Sequence, residues 1–246
     1  MAPEGATQPA VTDFVQVNDT SSAHPPQPGS SGPSGTVVYI DGHNLYNGVR
    51  RKFGRKYHWL DLFTLARRMR LDDRILKVRY YTTIVRGEPD AALRQEHYLA
   101  ALAARRPEAV EIIKGRFQAK TFRCRKCGAR WNCRCIPPRE YRTYEEKLTD
   151  VALATDLVRD AAAGLGDSCI LVSTDTDFHP AIEACLALAP ARQFYIACPP
   201  GRHSPRNTFD GRVTAFLIPE EHFAASQLPP QVRRGGRTYA RPEKWQ

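Results

Sequence analysis

Short apolar, β-branched runs alternate with stretches of helical spacing from residue 36 to residue 218, and this alternation constrains the fold more than any other feature of the chain. A strand that reads as an unbroken apolar run is buried on both faces. Where helices follow such strands, the burial comes from helices packed on either side of a parallel sheet. The strand-like runs are residues 36–40 (TVVYI), 75–85, 110–117, 169–173 (CILVS), 194–198 and 213–218. Between them, residues 61–69 place Leu62, Leu65, Ala66 and Met69 on one helical face, and residues 89–105 form an Ala-rich helical stretch. Residues 145–163 carry Leu148, Val151, Ala152, Ala154, Leu157 and Val158 at helical spacing before Gly164, and a further helix is expected from about 179 to 188. The pattern predicts an α/β fold, a three-layer α/β/α sandwich with a mostly parallel sheet.

The flanks read differently. Residues 1–35 are rich in Pro, Gly, Ser, Thr and Ala, too poor in apolar surface to offset the entropy of ordering, so a disordered tail is expected. The ordered domain is expected over 36–228. Residues 229–246 carry Arg233, Arg234, Arg237, Arg241 and Lys244 among Gly and Pro, and are expected to be a basic tail. No apolar run approaches the roughly 20 residues that span a bilayer. The first residues have neither the basic start nor the apolar core of a secretory signal, which makes a cytoplasmic protein the expectation. The formal net charge of +10 favours polyanionic partners, nucleic acid foremost.

Carboxylates stand where such a fold builds sites. Asp41 follows the first strand in the run Asp41-Gly42-His43-Asn44, and Asp175-Thr176-Asp177 follows the strand at 169–173. Ligands of open α/β sheets bind outside the carboxyl ends of the strands, so two strands ending on aspartates share one site if they are neighbours. Asp150 and Asp156 lie on the helix of 145–163, about 120° apart around its axis, and Asp150, nearer the N-terminus, is the better candidate for that site, with Asp156 at its edge. Gathered carboxylates repel unless a cation neutralises them, and hard oxygen ligands suit Mg²⁺ or Mn²⁺. Asn44, Ser173 and Thr174 are placed to hydrogen-bond the carboxylates or a water. Each Asp taken alone is equally well explained as a helix cap.

The runs Tyr39-Ile40-Asp41-Gly42-His43-Asn44-Leu45, Glu146-Lys147-Leu148-Thr149-Asp150 through Asp156, and Leu171-Val172-Ser173-Thr174-Asp175-Thr176-Asp177-Phe178 resemble, in this order, the three signatures of the NYN domain of the PIN-like nuclease superfamily. The resemblance extends from about Thr36 to Ile218. It implies Mg²⁺- or Mn²⁺-dependent cleavage of RNA, with Asp41, Asp150, Asp175 and Asp177 as the acidic site and Asn44 beside Asp41. Thr174 departs from the glycine often found there.

Residues 122–144 follow neither period. Cys124-x-x-Cys127 and Cys133-x-Cys135 place four thiols within twelve residues, a spacing suited to a tetrahedral, structural Zn²⁺ site. The remaining Cys169, Cys185 and Cys198 sit in apolar segments and are expected in the core. Arg50, Arg51 and Lys52 follow the Asp41 run, while Arg125, Lys126 and Arg130 lie within the Cys-rich insertion, interleaved with aromatics such as Phe122 and Trp131. Cations beside aromatic rings suit single-stranded RNA, whose phosphates pair with Arg and Lys while bases stack. The expected activity is that of a ribonuclease, most simply an endonuclease. The alternative is a non-catalytic RNA-binding or adaptor module on the same fold.

Overall fold

The apolar runs do form strands, and the chain between them supplies helices to both faces. A computed structural model describes residues 34–121, 127, 135, 142–202 and 209–245, with main chain only at 117–121 and 142–147. In chain order the elements are β1 (Thr36–Asp41), α1 (Gly42–Phe53), α2 (Leu62–Met69), β2 (Ile75–Thr82), α3 (Pro89–Arg105), β3 (Val110–Lys114), β4 (Arg116–Thr121) and β5 (Arg142–Lys147). There follow α4 (Thr149–Ala162), β6 (Ser168–Val172), α5 (His179–Leu188), β7 (Gln193–Cys198), β8 (Val213–Leu217), α6 (Glu220–Ala224), β9 (Gln231–Arg234) and β10 (Arg237–Ala240).

The main sheet has six strands in the order β3-β2-β1-β6-β7-β8, and every pairing in it is parallel. The period of two along β1 assigns its side chains to the two outer layers. Val38 and Ile40 pack with Leu45 and Val49 of α1, Leu65 of α2 and Leu102 of α3, while Val37 and Tyr39 pack with Leu153 and Leu157 of α4 and Ile182 of α5. Cys169, Cys185 and Cys198 are all buried, as their apolar settings imply. The three-layer α/β/α sandwich expected from the sequence is therefore the fold, with its sheet wholly parallel.

Several expectations need correction. Residues 42–53, for which the sequence pattern predicts no element, form helix α1. The run 110–117 breaks at Gly115 into β3 and β4, and β4 pairs antiparallel with β5 as a separate two-stranded ribbon. The helix expected over 145–163 starts only at Thr149, because β5 continues through Lys147 and Leu148 then takes a left-handed backbone (φ 83°) at the junction. The segment expected as a basic tail is folded: β9 and β10 make a hairpin through Gly235 and Gly236, both at positive φ as a tight hairpin turn requires. Val232 and the buried Trp245 from this segment join the core beside α3, and that apolar burial outweighs the basic composition.

One buried ion network fixes α4 to the sheet. Arg79 of β2 places Nη1 2.6 Å from Asp160 Oδ2 and 3.7 Å from Asp156 Oδ2. Tyr39 donates to Asp160 at 2.7 Å and Tyr81 to Asp156 at 2.8 Å. Burial, and after it Asp160, keeps the Tyr39 phenol protonated far above its ordinary range. Removing one partner of a buried pair leaves the other charge uncompensated, which typically costs about 3–5 kcal/mol. Asp160→Ala is therefore expected to lower unfolding free energy in urea by about that amount. Arg159→Ala, whose side chain is 57% exposed, should cost at most about 1 kcal/mol. Equal losses in the two variants would contradict this account of how α4 is held.

Candidate active site

The chain runs outward from β1 through β2 to β3, then returns to lay β6, β7 and β8 on the other side of β1. Between β1 and β6 the strand order reverses, which is where an open α/β sheet forms a crevice at its carboxyl edge. Asp41 ends β1 and Asp175 follows β6, so both candidate acids stand at this reversal.

Asp41 is only 7% exposed and is held from two directions. It caps α1, its Oδ1 accepting from the Asn44 amide at 3.0 Å, while its Oδ2 accepts from Ser173 Oγ at 2.8 Å. Gly42 lets α1 begin directly above the end of β2, since a Cβ there would stand 2.4 Å from the Tyr81 carbonyl oxygen. The Ser173 hydroxyl also accepts from the Asp175 amide at 3.1 Å, so one side chain ties the ends of both strands together. Asp175 Oδ1 in turn accepts from the Asp177 amide at 3.0 Å and caps the short 3₁₀ turn Thr176–Phe178, which buried Phe178 anchors. Thr174, at the position that departs from the glycine of the motif, donates to Asn44 Oδ1 at 3.5 Å.

The course of α4 gives Asp150 its place. Asp160 sits beside Tyr39, and Asp156 sits beside Tyr81, the register partner of Asp41. The N-terminus of α4 thus points to the carboxyl edge of the sheet, and exposed Asp150 lies about 9 Å further along it than Asp156. Asp156 itself is engaged by Tyr81, Arg79 and Arg159, so its role is in holding α4.

The hydrogen bonds of this edge join Asp41, Asn44, Ser173, Asp175 and Asp177, whereas Asp150 is related to them by the direction of its helix. The donors are all oxygen, the chemistry of a hard divalent cation. Asp175 and Asp177 are exposed and keep carboxylate oxygens available to a ligand. Among the described residues no three His, Cys, Asp or Glu side chains stand close enough together to hold an ion as they are. Of the thiols expected to bind Zn²⁺, Cys127 is exposed and Cys135 half-buried, and Cys124 and Cys133 lie outside the described residues. Arg50, Arg51 and Lys52 are exposed on the last turn of α1. Arg125, Lys126 and Arg130 lie outside the described residues.

A pocket of about 260 Å³ that the sequence did not reveal lies on the opposite side of α1 from Asn44, with Gly42 and His43 among its lining residues. Its signal was present in the spacing of Leu45, Tyr46, Val49 and Arg50, which is helical and half apolar.

Ser173 is the test of the local geometry. Ser173→Ala removes both the hydroxyl that donates to buried Asp41 and the acceptor of the Asp175 amide, a loss of about 1–3 kcal/mol in urea unfolding. Thr174→Ala, which removes only the 3.5 Å contact, should stay within about 0.5 kcal/mol of wild type. Equal stability of the two variants would show that the Ser173 bridge is not holding these strand ends.

Comparison with known proteins identifies the family of the domain. The family model described as the NYN domain matches residues 35–189. The chain is 28% identical over 243 residues to the 6-hydroxy-3-succinoylpyridine 3-monooxygenase HspA of Pseudomonas putida, covering 87% of this chain and 76% of the relative. No solved structure matches. The NYN match takes in β1 with Asp41, the start of α4 with Asp150, and the loop after β6 with Asp175 and Asp177; this chain belongs to the NYN domain family of PIN-like nucleases.

Proposed function

We propose that the protein is a metal-dependent ribonuclease, acting as an endonuclease on single-stranded RNA at the edge between β1 and β6. The observation that carries the reading is the Ser173 bridge, which sets Asp41 and the Asp175 loop side by side at the reversal of strand order in a domain of nuclease-related type. Asp41, Asp150, Asp175 and Asp177 would hold Mg²⁺ or Mn²⁺. The bound ion supplies water activation and charge stabilisation for in-line displacement at phosphorus. The chain's own groups do the rest. The Asn44 amide and Ser173 hydroxyl keep the Asp41 carboxylate fixed in direction, and Thr174 restrains Asn44. Arg50, Arg51 and Lys52, one helix further on, take the phosphates flanking the reacting one, with Arg125, Lys126 and Arg130 of the Cys-rich insertion. In this reading Cys124, Cys127, Cys133 and Cys135 bind a structural Zn²⁺ that shapes the insertion, and the protein works in the cytoplasm. No helix among the described residues is long and apolar enough to cross a membrane.

The name of the 28% identical relative supports a second reading, oxygenation of a hydroxylated pyridine. The two are separated by experiment. End-labelled single-stranded RNA incubated with Mn²⁺ or Mg²⁺ should give internal cuts with wild type, and at least about 100-fold fewer with Asp41→Asn or with a chelator added. Metal analysis of the same preparation should find one zinc per chain. Identical traces for wild type and Asp41→Asn would overturn the ribonuclease reading. Dioxygen uptake on adding the relative's pyridine with a reducing cofactor would favour the second.

A further inference from the structure

The pocket on the far side of α1 has a composition that the acidic edge does not explain. It is enclosed by α1, the 55–60 loop, the end of β2 and α3, with Trp245 closing one side. One wall is a run of rings: Tyr46 to His58 at 5.1 Å between centroids, His58 to Trp245 at 5.5 Å, and Trp245 to Tyr98 at 5.9 Å. Arg50, Arg55 and Arg94 also line it, against the single carboxylate Glu88. None of these three arginines is ion-paired among the described residues, although Arg50 donates to the Tyr46 hydroxyl at 3.3 Å and lies 5.9 Å from its ring centre. His58 Nε2 is buried without a hydrogen-bond partner among the described residues. Burial, and then Arg50 and Arg55, pushes the His58 imidazole down to about 4, so at neutral pH it is an uncharged group able to pair with another neutral one.

Such a pocket is matched to a ligand that is flat on one part and anionic on another. Stacking against aromatic rings accepts any planar base, and unpaired guanidinium groups favour phosphate, the ligand their planar fork fits. The volume, about 260 Å³, is suited to a single nucleotide rather than a helix or a larger cofactor. Gly42 and His43, which line the pocket, directly follow Asp41 in the chain and open α1, so the pocket adjoins the residue that ends β1.

We propose that this pocket receives one unstacked nucleotide of the RNA strand, its base against the wall formed by Tyr46, His58 and Trp245 and its phosphate against Arg50 and Arg55. The inference rests on the ribonuclease reading and extends it: one nucleotide of the strand is gripped here, beside the site of cleavage. A free nucleotide offers the same chemistry, and a small aromatic acid offers part of it.

The test uses the full chain carrying Asp41→Asn, so that cleavage plays no part. Single-stranded RNA oligomers with one 2-aminopurine, adenosine and uridine 5′-monophosphates, and nicotinate are titrated separately. The same titrations are repeated with Tyr46→Ala and with Arg55→Glu added, both at exposed side chains where folding is preserved. The proposal expects the 2-aminopurine to be quenched at one position in the strand. It also expects Tyr46→Ala to abolish the quenching, and Arg55→Glu to weaken both oligomer and mononucleotide about tenfold or more. Oligomer affinity and fluorescence unchanged by both substitutions would overturn it, even if free mononucleotides bind. Nicotinate binding more tightly than either mononucleotide would overturn it in favour of a small aromatic acid. The two readings fail separately. Pocket binding without any cleavage by wild type removes the ribonuclease reading alone, and cleavage by wild type with oligomer affinity unaltered in the pocket variants removes the pocket alone.

Discussion

The parallel pairing of β1 with β6 is the contact on which the candidate site depends. It sets Thr36 through Ile40 against Ser168 through Val172, and so delivers Asp41 and Ser173 to the same level of the sheet. A one-residue slip would turn every side chain of one strand to the opposite face and move Ser173 away from Asp41. The register is secured by burial on both faces: Val37, Val38, Tyr39 and Ile40 are fully buried, as are Cys169, Ile170 and Val172. Apolar packing therefore holds the strand ends in place, and the hydroxyl of Ser173 ties Asp41 to the turn that carries Asp175.

The second constraint is electrostatic. Arg79 is buried within β2 and draws Asp160 and Asp156 of α4 onto the sheet, with Tyr39 and Tyr81 completing the hydrogen bonds. Two of the helix's acids are thereby committed to structure, and Asp150 is the acid that α4 carries furthest toward the carboxyl edge. The residues that hold α4 and the residues proposed to hold a cation are thus the same chemical type, and position along the helix divides them.

Much of this was legible in the chain. The apolar runs at 36–40 and 169–173 name buried strands, and an aspartate directly after each names a candidate edge, because strand periodicity and strand-end geometry are local properties. Asp156 was less legible: its partners Tyr81 and Arg79 are some 75 residues away in sequence, and nothing near it reveals them. Residues 42–53 were missed as a helix because Asp-Gly-His-Asn reads as a turn, although Asp41 caps the helix and Gly42 is required by the approach of the Tyr81 carbonyl. The hairpin near the C-terminus escaped for the opposite reason. Its strands are short and basic, and what holds them is the burial of Val232 and Trp245 against a helix more than a hundred residues earlier.

The central claim of the proposed function is that the edge between β1 and β6 holds a divalent cation. Electron paramagnetic resonance of Mn²⁺ titrated into wild type, Asp41→Asn and Asp175→Asn measures this without any substrate. The account predicts that wild type takes up Mn²⁺ and that each variant weakens the binding about tenfold or more. Equal Mn²⁺ affinity in all three proteins, with their stability unchanged, would contradict it.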